Sequence, residues 1–305
     1  MHKSIRIGTR ESQLAVWQAT QVKDLLAAAG YCSELVFIKS EGDIDLKTPL
    51  YEIGVQGIFT RTLDIALLNN RIDIAVHSMK DVPIQLPVGI HQAAVLERGP
   101  VSDLLVLKND RVRIEESACV VATSSIRRKA QWLHRYPGHT IESLRGNVNT
   151  RLKKLQEENW DAAIFAQAGL ERIGLRPAAS IVLDWMLPAP AQGAIIVVCR
   201  SDDRYSISAC ATLNHEATAV CTKIERDFLR ALLGGCSTPI SALAQIRDNN
   251  IFFRGNIFSV DGKQKQVIEK TLPLESSQHL GKDAAAEILE NGGKAIAENI
   301  RHAER

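Results

Sequence analysis

The chain has 305 residues, 45% of them hydrophobic and 24% charged, as expected of a globular protein large enough for two or three domains. Its net charge of +2 argues against a protein whose overall field attracts nucleic acid or an anionic membrane. No apolar run approaches the roughly 18 residues of a membrane helix, and no charged-then-apolar leader precedes the first strand. We therefore expect a cytoplasmic protein with no membrane or nucleic-acid partner, and a monomer by default.

The six cysteines form no CxxC pair and show no metal-ligand spacing with histidine, so we expect no metal site. Four of them, Cys119, Cys199, Cys210 and Cys221, lie in apolar or helical patterns and are interpreted as buried thiols of a reducing cytosol. Cys32 has no clear environment, and Cys236 belongs to a different pattern, described below.

The chain begins with a predicted strand at residues 4–8 and an amphipathic helix that Gly30 ends. Thr9 or Ser12 is placed to cap this helix, and Arg10 lies in the strand-to-helix turn, where it could help bind an anion. A second strand is predicted at 34–38. The polar stretch at 39–56 has the length of a lid, a binding loop or a disordered segment.

Residues 72–76 predict a short strand that ends in a polar sequence containing Lys80 and Asp81. Pro83 makes a helix across this point unfavourable. Ligands bind at the carboxyl ends of strands in open α/β sheets, so this cation and carboxylate indicate a site, although a solvated turn is the usual meaning of such a pair.

A similar strand–helix pattern restarts after an interruption at 96–102, and residues 123–154 hold many basic residues against one acid, Glu142. The hydroxyls of residues 123–125 are predicted to cap a helix, and Gly146 would let the backbone approach a ligand. Arginines hold planar carboxylates in a bidentate manner, so we infer a small ligand with several carboxylates. The arginines expected at strand ends or first helical turns are Arg127, Arg128, Arg145, Arg151 and Arg172.

A second interruption at 187–193 suggests that the chain crosses twice between two domains with a ligand cleft between them. This is an α/β architecture like that of the type II periplasmic binding proteins. We predict a first domain of residues 1–98 and 190–214 that carries Asp81, and a second, inserted domain of residues 99–189. A small α+β third domain, residues 215–305, would contain strands at 251–253 and 257–260, a turn at Asp261-Gly262 and a helix at about 282–300.

Cys236 follows two glycines and precedes Pro239, which places it on a loop. The pattern fits a helix stop with an incidental thiol and, equally, a thiol presented for covalent chemistry.

Six motifs in this order resemble the porphobilinogen deaminase (hydroxymethylbilane synthase) family over essentially the full length. They are GTRESQLA at 8–15, DIAVHSMKDVP at 73–83, TSSIRR at 123–128, SLRGNVNTRL at 143–152, LPAPAQGA at 187–194 and GGC at 234–236.

The resemblance implies a transferase that condenses four porphobilinogen molecules with loss of ammonia and releases linear hydroxymethylbilane for heme biosynthesis. It implies a dipyrromethane cofactor on Cys236 through a thioether, and Asp81 as the catalytic carboxylate that stabilises the cation formed as ammonia leaves. The implied cofactor-binding residues are Lys80, Ser125, Arg127, Arg128 and Arg145. The implied substrate-binding residues are Arg10, Ser12, Arg151, Arg172 and Gln192.

The chain departs from the family pattern at three places. Glu52 and Gln56 stand where many members have lysines, Ala191 stands where glycine is usual, and Ser-Thr follows Cys236 in place of Gln-Val. The alternative from another functional class is a cytosolic polycarboxylate-binding sensor or effector module on the same fold. A phosphate- or nucleotide-binding enzyme ranks third, because no Gly-rich phosphate loop is present.

Overall fold

The structure is a computed structural model that describes residues 3–39, 60–232 and 238–303. The predicted polar loop with Glu52 and Gln56, and the predicted thiol segment with Cys236, lie outside the described residues. The strands of the described residues are β1 (Ile5–Thr9), β2 (Ser33–Phe37), β3 (Ile74–Ser78), β4 (Ile90–Val95), β5 (Asp103–Leu107), β6 (Val120–Ala122), β7 (Thr140–Glu142), β8 (Ala162–Ala166), β9 (Ser180–Leu183), β10 (Ile195–Arg200), β11 (Ile240–Arg247), β12 (Asn250–Phe258) and β13 (Lys265–Pro273). The helices are α1 (Gln13–Ala28), α2 (Arg61–Leu68), α3 (Ile126–Arg135), α4 (Val148–Glu157), α5 (Gln167–Glu171), α6 (Arg204–Ala211), α7 (Glu216–Leu232), α8 (Leu280–Ile288) and α9 (Lys294–Ala303).

One compact unit contains, of the described residues, 3–39, 60–99 and 193–220. Its sheet has the strand order β2-β1-β3-β10-β4. Strands β2, β1 and β3 are parallel, and β10 runs antiparallel to both of its neighbours. The predicted strand–helix–strand units with parallel crossovers are therefore confirmed, and a strand from late in the chain lies inside the sheet.

Helix α1 packs one apolar face on this sheet and is capped where the sequence predicts. The Oγ atom of Ser12 accepts a hydrogen bond from the N–H of Ala15 at 3.4 Å. Ala19, Val22 and Leu26, spaced at helical intervals, are fully buried in the core. This packing holds the turn before α1 at the carboxyl end of β1.

Strand β3 runs two residues further than predicted, from Ile74 to Ser78. The prediction ended the strand at the polar residue His77, but His77 is only 6% exposed and pairs with Ile196 of β10. A central strand covered on both faces need not alternate between apolar and polar residues, so its end could not be located from the pattern.

Asp73 joins the start of β3 to β1. Its carboxylate is fully buried and accepts hydrogen bonds from the Nε and backbone N–H of Arg6, both at 2.9 Å. Lys3 donates to the same carboxylate at 3.0 Å, and Arg200 of β10 lies 3.5 Å from it. One buried acid thus connects three neighbouring strands at the end of the sheet opposite to Asp81.

The other compact unit contains, of the described residues, 100–192, 221–232 and 238–303. Its five-stranded sheet has the order β7-β6-β8-β5-β9. Strands β7, β6 and β8 are parallel, whereas β5 is antiparallel to β8 and β9. This plan matches the first sheet strand for strand, with β5 in the place of β10. Strand β9 is an edge strand that the sequence did not predict.

A three-stranded antiparallel sheet, β11-β12-β13, packs with helices and forms the small C-terminal part. The two strands predicted at 251–253 and 257–260 are one strand, β12, and β11 was not predicted. The single helix predicted at 282–300 is two helices, because the chain leaves helical geometry at Asn291 and Gly292, where φ is +101° at the glycine. Glycine reaches this conformation without the steric cost of a side chain.

Gly262 at the tip of the β12–β13 hairpin packs on α3, and we expect Gly262→Ala to destabilise the protein. Its φ is +74°, and a Cβ atom there would lie 2.5 Å from the carbonyl oxygen of Ala130. The predicted tight turn at this position is confirmed. The expected loss in unfolding free energy is at least about 2 kcal/mol, from left-handed backbone strain and this contact.

Gly30→Ala is the matched control, since Gly30 has a φ of +85° with nothing within 4 Å of an added Cβ. This variant should lose only about 1 kcal/mol of unfolding free energy, from backbone strain, as measured by denaturant titration. Equal losses for the two variants would show that the contact with α3 contributes nothing.

Cys119, Cys199, Cys210 and Cys221 are buried, as predicted, and Cys32 is exposed. Within residues 3–39, 60–232 and 238–303, no helix has the length and apolar character needed to cross a membrane.

Candidate active site

In the first unit, the predicted site residues collect at one edge of the sheet. Strands β1 and β3 are parallel neighbours, so their carboxyl ends meet at the same edge. Arg10 and Ser12 follow β1, and Lys80 and Asp81 follow β3 within a short 3-10 turn, Met79–Asp81. Three of these side chains are ionisable, two of them cations and one an acid.

The turn after β3 is held by two buried apolar side chains on either side of the charged pair. Met79 and Val82 are each 2% exposed, and the N–H of Met79 donates to the carbonyl of Ala194 at 3.0 Å. Lys80 between them is half-buried and Asp81 is exposed. The backbone position of Asp81 is therefore fixed while its carboxylate faces outward.

His77, which the sequence analysis did not single out, lies beneath this edge as a neutral group. Burial, with a smaller contribution from the nearby charge of Arg10, lowers the pKa of His77 to about 3. Among the described residues its Nε2 atom has no hydrogen-bond partner. At neutral pH His77 therefore adds no positive charge to this edge.

In the second unit, the predicted residues again collect at the carboxyl ends of parallel strands. Strand β6 leads to α3 with Arg127 and Arg128, β7 leads to Arg145, and β8 leads to α5. Since β6 is parallel to both β7 and β8, these side chains start from one edge of the sheet.

Arg127 and Arg128 are buried and share one carboxylate. Arg127 Nη2 lies 2.8 Å from Asp103 Oδ2, and Arg128 Nη2 lies 2.7 Å from Asp103 Oδ1. Each guanidinium keeps a buried Nε that has no hydrogen-bond partner in the described part of the chain. The sequence analysis missed Asp103; its only local signal was an acid directly before the apolar run of β5.

Two local predictions for this cluster, the Ser125 cap and the placement of Arg172, need correction, and the ligand approach at Gly146 stays a prediction. Ser125 occupies the N-cap position of α3, but its side chain makes no capping hydrogen bond. Gly146 has a φ of +111°, and an added Cβ would lie 2.7 Å from the Thr150 side chain, so local packing explains this glycine without a ligand. Arg172 follows the last residue of α5 and does not lie at a strand end or in a first helical turn.

The remaining predicted residues of this unit differ in exposure. Arg145 is 5% exposed, and Arg151 is half-buried with its Nε donating to the carbonyl of Gly146 at 2.7 Å. Arg172 is half-buried, and burial lowers its pKa to about 10, which still leaves it charged at neutral pH. Gln192 is fully buried and donates from Nε2 to the carbonyl of Val101 at 2.7 Å and to Asp103 Oδ1 at 2.9 Å.

The guanidinium groups of the second unit are chemically suited to several carboxylates, because Arg127 and Arg128 share a single acid. The first unit carries an exposed carboxylate, Asp81, which follows Lys80 in the chain. A fixed carboxylate favours the development of positive charge on a reacting group, whereas guanidinium groups hold anionic substituents.

Comparison with known proteins gives two matches to family models. Residues 5–208 match the model described as porphobilinogen deaminase, dipyromethane cofactor binding domain, and residues 219–290 match porphobilinogen deaminase, C-terminal domain. The porphobilinogen deaminase of Pelobacter propionicus is 40% identical over 302 residues, which cover 98% of this chain and 97% of that protein.

Solved structures similar to this chain include the methionine-binding protein MetQ, with a TM-score of 0.43 and 14% identity over 69% of this chain and 89% of that one. Another is a putative periplasmic sulfonate-binding protein of Methylobacillus flagellatus, with a TM-score of 0.39 and 14% identity over 75% of this chain and 69% of that one. These low scores add nothing to the family matches. On the strength of those matches, which span most of its length, the chain belongs to the porphobilinogen deaminase family.

Proposed function

We propose that Asp81 is the catalytic carboxylate of this chain and that the two basic clusters bind the carboxylates of its substrate, product chain and cofactor. As a hydroxymethylbilane synthase, the chain condenses four porphobilinogen molecules head to tail, with loss of ammonia each time, and releases linear hydroxymethylbilane for tetrapyrrole synthesis. The observation that carries the assignment of Asp81 is its exposure between the buried residues Met79 and Val82.

Asp81 can act electrostatically without moving. Loss of ammonia from porphobilinogen leaves positive charge on the pyrrole, and a carboxylate already in position lowers the energy of that charged state. The same carboxylate can accept hydrogen bonds from pyrrole N–H groups. Asp81 is exposed, so its described neighbours leave this carboxylate open to water.

The residues of the second unit fit a dipyrromethane, which carries acetate and propionate groups. The buried Nε atoms of Arg127 and Arg128 have no hydrogen-bond partner within residues 3–39, 60–232 and 238–303, and a carboxylate beside them would supply one. The cofactor, when bound, supplies the pyrrole to which the first substrate is joined. We propose that its carboxylates are held by Lys80, Ser125, Arg127, Arg128 and Arg145.

Incoming substrate and the growing chain require further carboxylate-binding groups. Each added pyrrole brings two more carboxylates, so the charge to be neutralised increases with every condensation. We propose that Arg10, Ser12, Arg151, Arg172 and Gln192 bind these groups. The charge of Arg172 at neutral pH and the helix N-terminus at Ser12 both favour anion binding.

We propose that Cys236 carries the dipyrromethane through a thioether. Its thiol lies outside the described residues, and the support for this assignment is the match of GGC at 234–236 to the family motif. We also propose the three-domain division at residues 98/99, 189/190 and 214/215, and a cytoplasmic monomer that needs no nucleic acid.

The experiment that tests this function is the intact mass of the purified full chain, followed by peptide mapping. We expect an added mass equal to a dipyrromethane, located on the peptide that contains Cys236. Further additions should appear after brief incubation with porphobilinogen, and hydroxymethylbilane should be released. An unmodified Cys236 that stays unmodified with porphobilinogen would contradict the proposal and leave a polycarboxylate-binding protein.

A further inference from the structure

Asp103 lies at the centre of a buried polar cluster, and the proposed function gives this acid itself no role. It is the first residue of β5 and is fully buried. Its Oδ2 accepts from Arg127 at 2.8 Å, and its Oδ1 accepts from Arg128 at 2.7 Å and from Gln192 at 2.9 Å. One carboxylate therefore fixes two neighbouring arginines of α3 and the amide of Gln192, a residue from a later part of the chain.

Each arginine also has a second fixed contact. Arg127 Nη1 donates to the carbonyl of Leu187 at 2.8 Å, and Arg128 Nη1 donates to the carbonyl of Ile164 at 3.0 Å. With both terminal nitrogens engaged, each guanidinium plane is held in one orientation, and the Nε has no hydrogen-bond partner among the residues that the structure describes. Orientation matters because bidentate carboxylate binding depends on the direction of the fork.

An acid at this place is unfavourable if the cluster needs only positive charge. Asp103 cancels one of two buried charges and weakens the long-range attraction for an anionic ligand. Burial and the neighbouring Arg128 both lower the pKa of Arg127, and the charge of Asp103 opposes that shift. Asp103 thus weakens the attraction for an anionic ligand but fixes the orientation of the two guanidinium groups that would bind it.

We propose that Asp103 is a positioning residue that orients the guanidinium groups of Arg127 and Arg128 for binding the carboxylates of the cofactor and the growing chain. Gln192 acts on the same carboxylate, since its amide donates to Asp103 and lies 3.5 Å from Arg127 Nη2. This inference rests on the proposed anion-binding role of the two arginines. It assigns Asp103 no contact with the ligand.

The first test compares Asp103→Asn with wild type by the fraction of purified full chain that carries the cofactor mass. Asparagine keeps the size of the side chain and makes the cluster one unit more positive. We expect the ratio of loaded to unloaded chain to fall about tenfold, the effect of losing one charge-assisted hydrogen bond. A purely electrostatic role predicts the opposite, namely equal or higher loading.

Asp161→Asn is the matched control, because Asp161 lies in the same unit and accepts a hydrogen bond from the N–H of Val120 at 2.7 Å. It makes the same change in charge without touching the arginines, and it should keep wild-type loading. Asp103→Glu keeps the charge but displaces the carboxylate by one methylene, and its loading should also fall. If Asp103→Asn is recovered unfolded, Asp103→Glu decides the question.

A double-mutant cycle with Arg127→Lys separates positioning from general support of the fold. If Asp103 acts through the arginines, Asp103→Asn should lower loading much less in the Arg127→Lys background than in wild type. Additive effects, or wild-type loading in folded Asp103→Asn or in Asp103→Glu, would overturn the inference. Wild-type protein without the cofactor mass would instead refute the proposed function, so the two failures are distinguishable.

Discussion

Asp81→Asn is expected to lower kcat by about 10²–10³-fold while the thermal unfolding midpoint stays unchanged. Asparagine keeps the shape of the side chain but removes the charge that stabilises the cation formed as ammonia leaves. Stability should not change, because Asp81 is exposed and surface substitutions usually alter the unfolding free energy by less than about 0.5 kcal/mol. The measurement is steady-state consumption of porphobilinogen by protein whose cofactor loading has been checked by mass.

Asp202→Asn is the matched control for Asp81. Asp202 is also an exposed aspartate of the first unit, and it lies in the turn after β10. Its replacement changes the net charge in the same way and should leave kcat unchanged. Near-wild-type turnover in Asp81→Asn would remove the carboxylate from the mechanism, whereas equal losses in both variants would indicate a general charge effect.

Asp73→Asn is expected to have the largest effect on stability, with a loss of about 3 kcal/mol in unfolding free energy at neutral pH. The variant removes the negative charge that Arg6 and Lys3 share across β1 and β3. This loss of unfolding free energy should lie at the low end of the range for breaking a buried ion pair, because Lys3 is half exposed and its charge can be hydrated again. Glu157→Gln, which removes the partner of Lys153 in an exposed pair, should cost less than about 0.5 kcal/mol in the same denaturant titration.

Asp73→Asn should also change how the unfolding free energy depends on pH. Burial alone would raise the pKa of Asp73, but the hydrogen bonds from Arg6 and Lys3 outweigh it and hold that pKa well below its ordinary value. A lowered folded-state pKa contributes stability above the unfolded-state pKa of about 4 and loses it as the pH falls further. The difference in unfolding free energy between wild type and Asp73→Asn should therefore decrease below about pH 4. A difference that stays constant between pH 7 and pH 3 would contradict this.

Local patterns were sufficient to predict the edges at which the site residues collect. Arg10, Lys80 and Asp81 follow parallel strands whose apolar runs are visible in the sequence, and a parallel pair brings its carboxyl ends together. Arg127 and Arg145, expected at strand ends or first helical turns, follow β6 and β7, whose parallel pairing brings them to one edge of the second sheet. The presence of the clusters was therefore predictable from the order of short motifs.

The details that depend on contacts between distant residues were not predictable. Nothing near Arg127 in the sequence indicates that it is buried against Asp103, which precedes it by 24 residues. His77 looked like the end of a strand because burial on both faces of a sheet leaves no periodic pattern. The helix predicted at 282–300 was too long because one glycine, Gly292, adopts a positive φ that composition alone does not reveal.

The interior position of β10 has a consequence for how the chain folds during synthesis. Strand β3 ends at Ser78, but the neighbour that completes its hydrogen bonding begins only at Ile195. The second five-stranded sheet lies wholly between these points, from Asp103 to Leu183. At a synthesis rate of about 5–20 residues per second, β10 is made on the order of ten seconds after β3 and β4. During that time β3 and β4 have unpaired edges. The middle of this protein can therefore finish folding before its beginning.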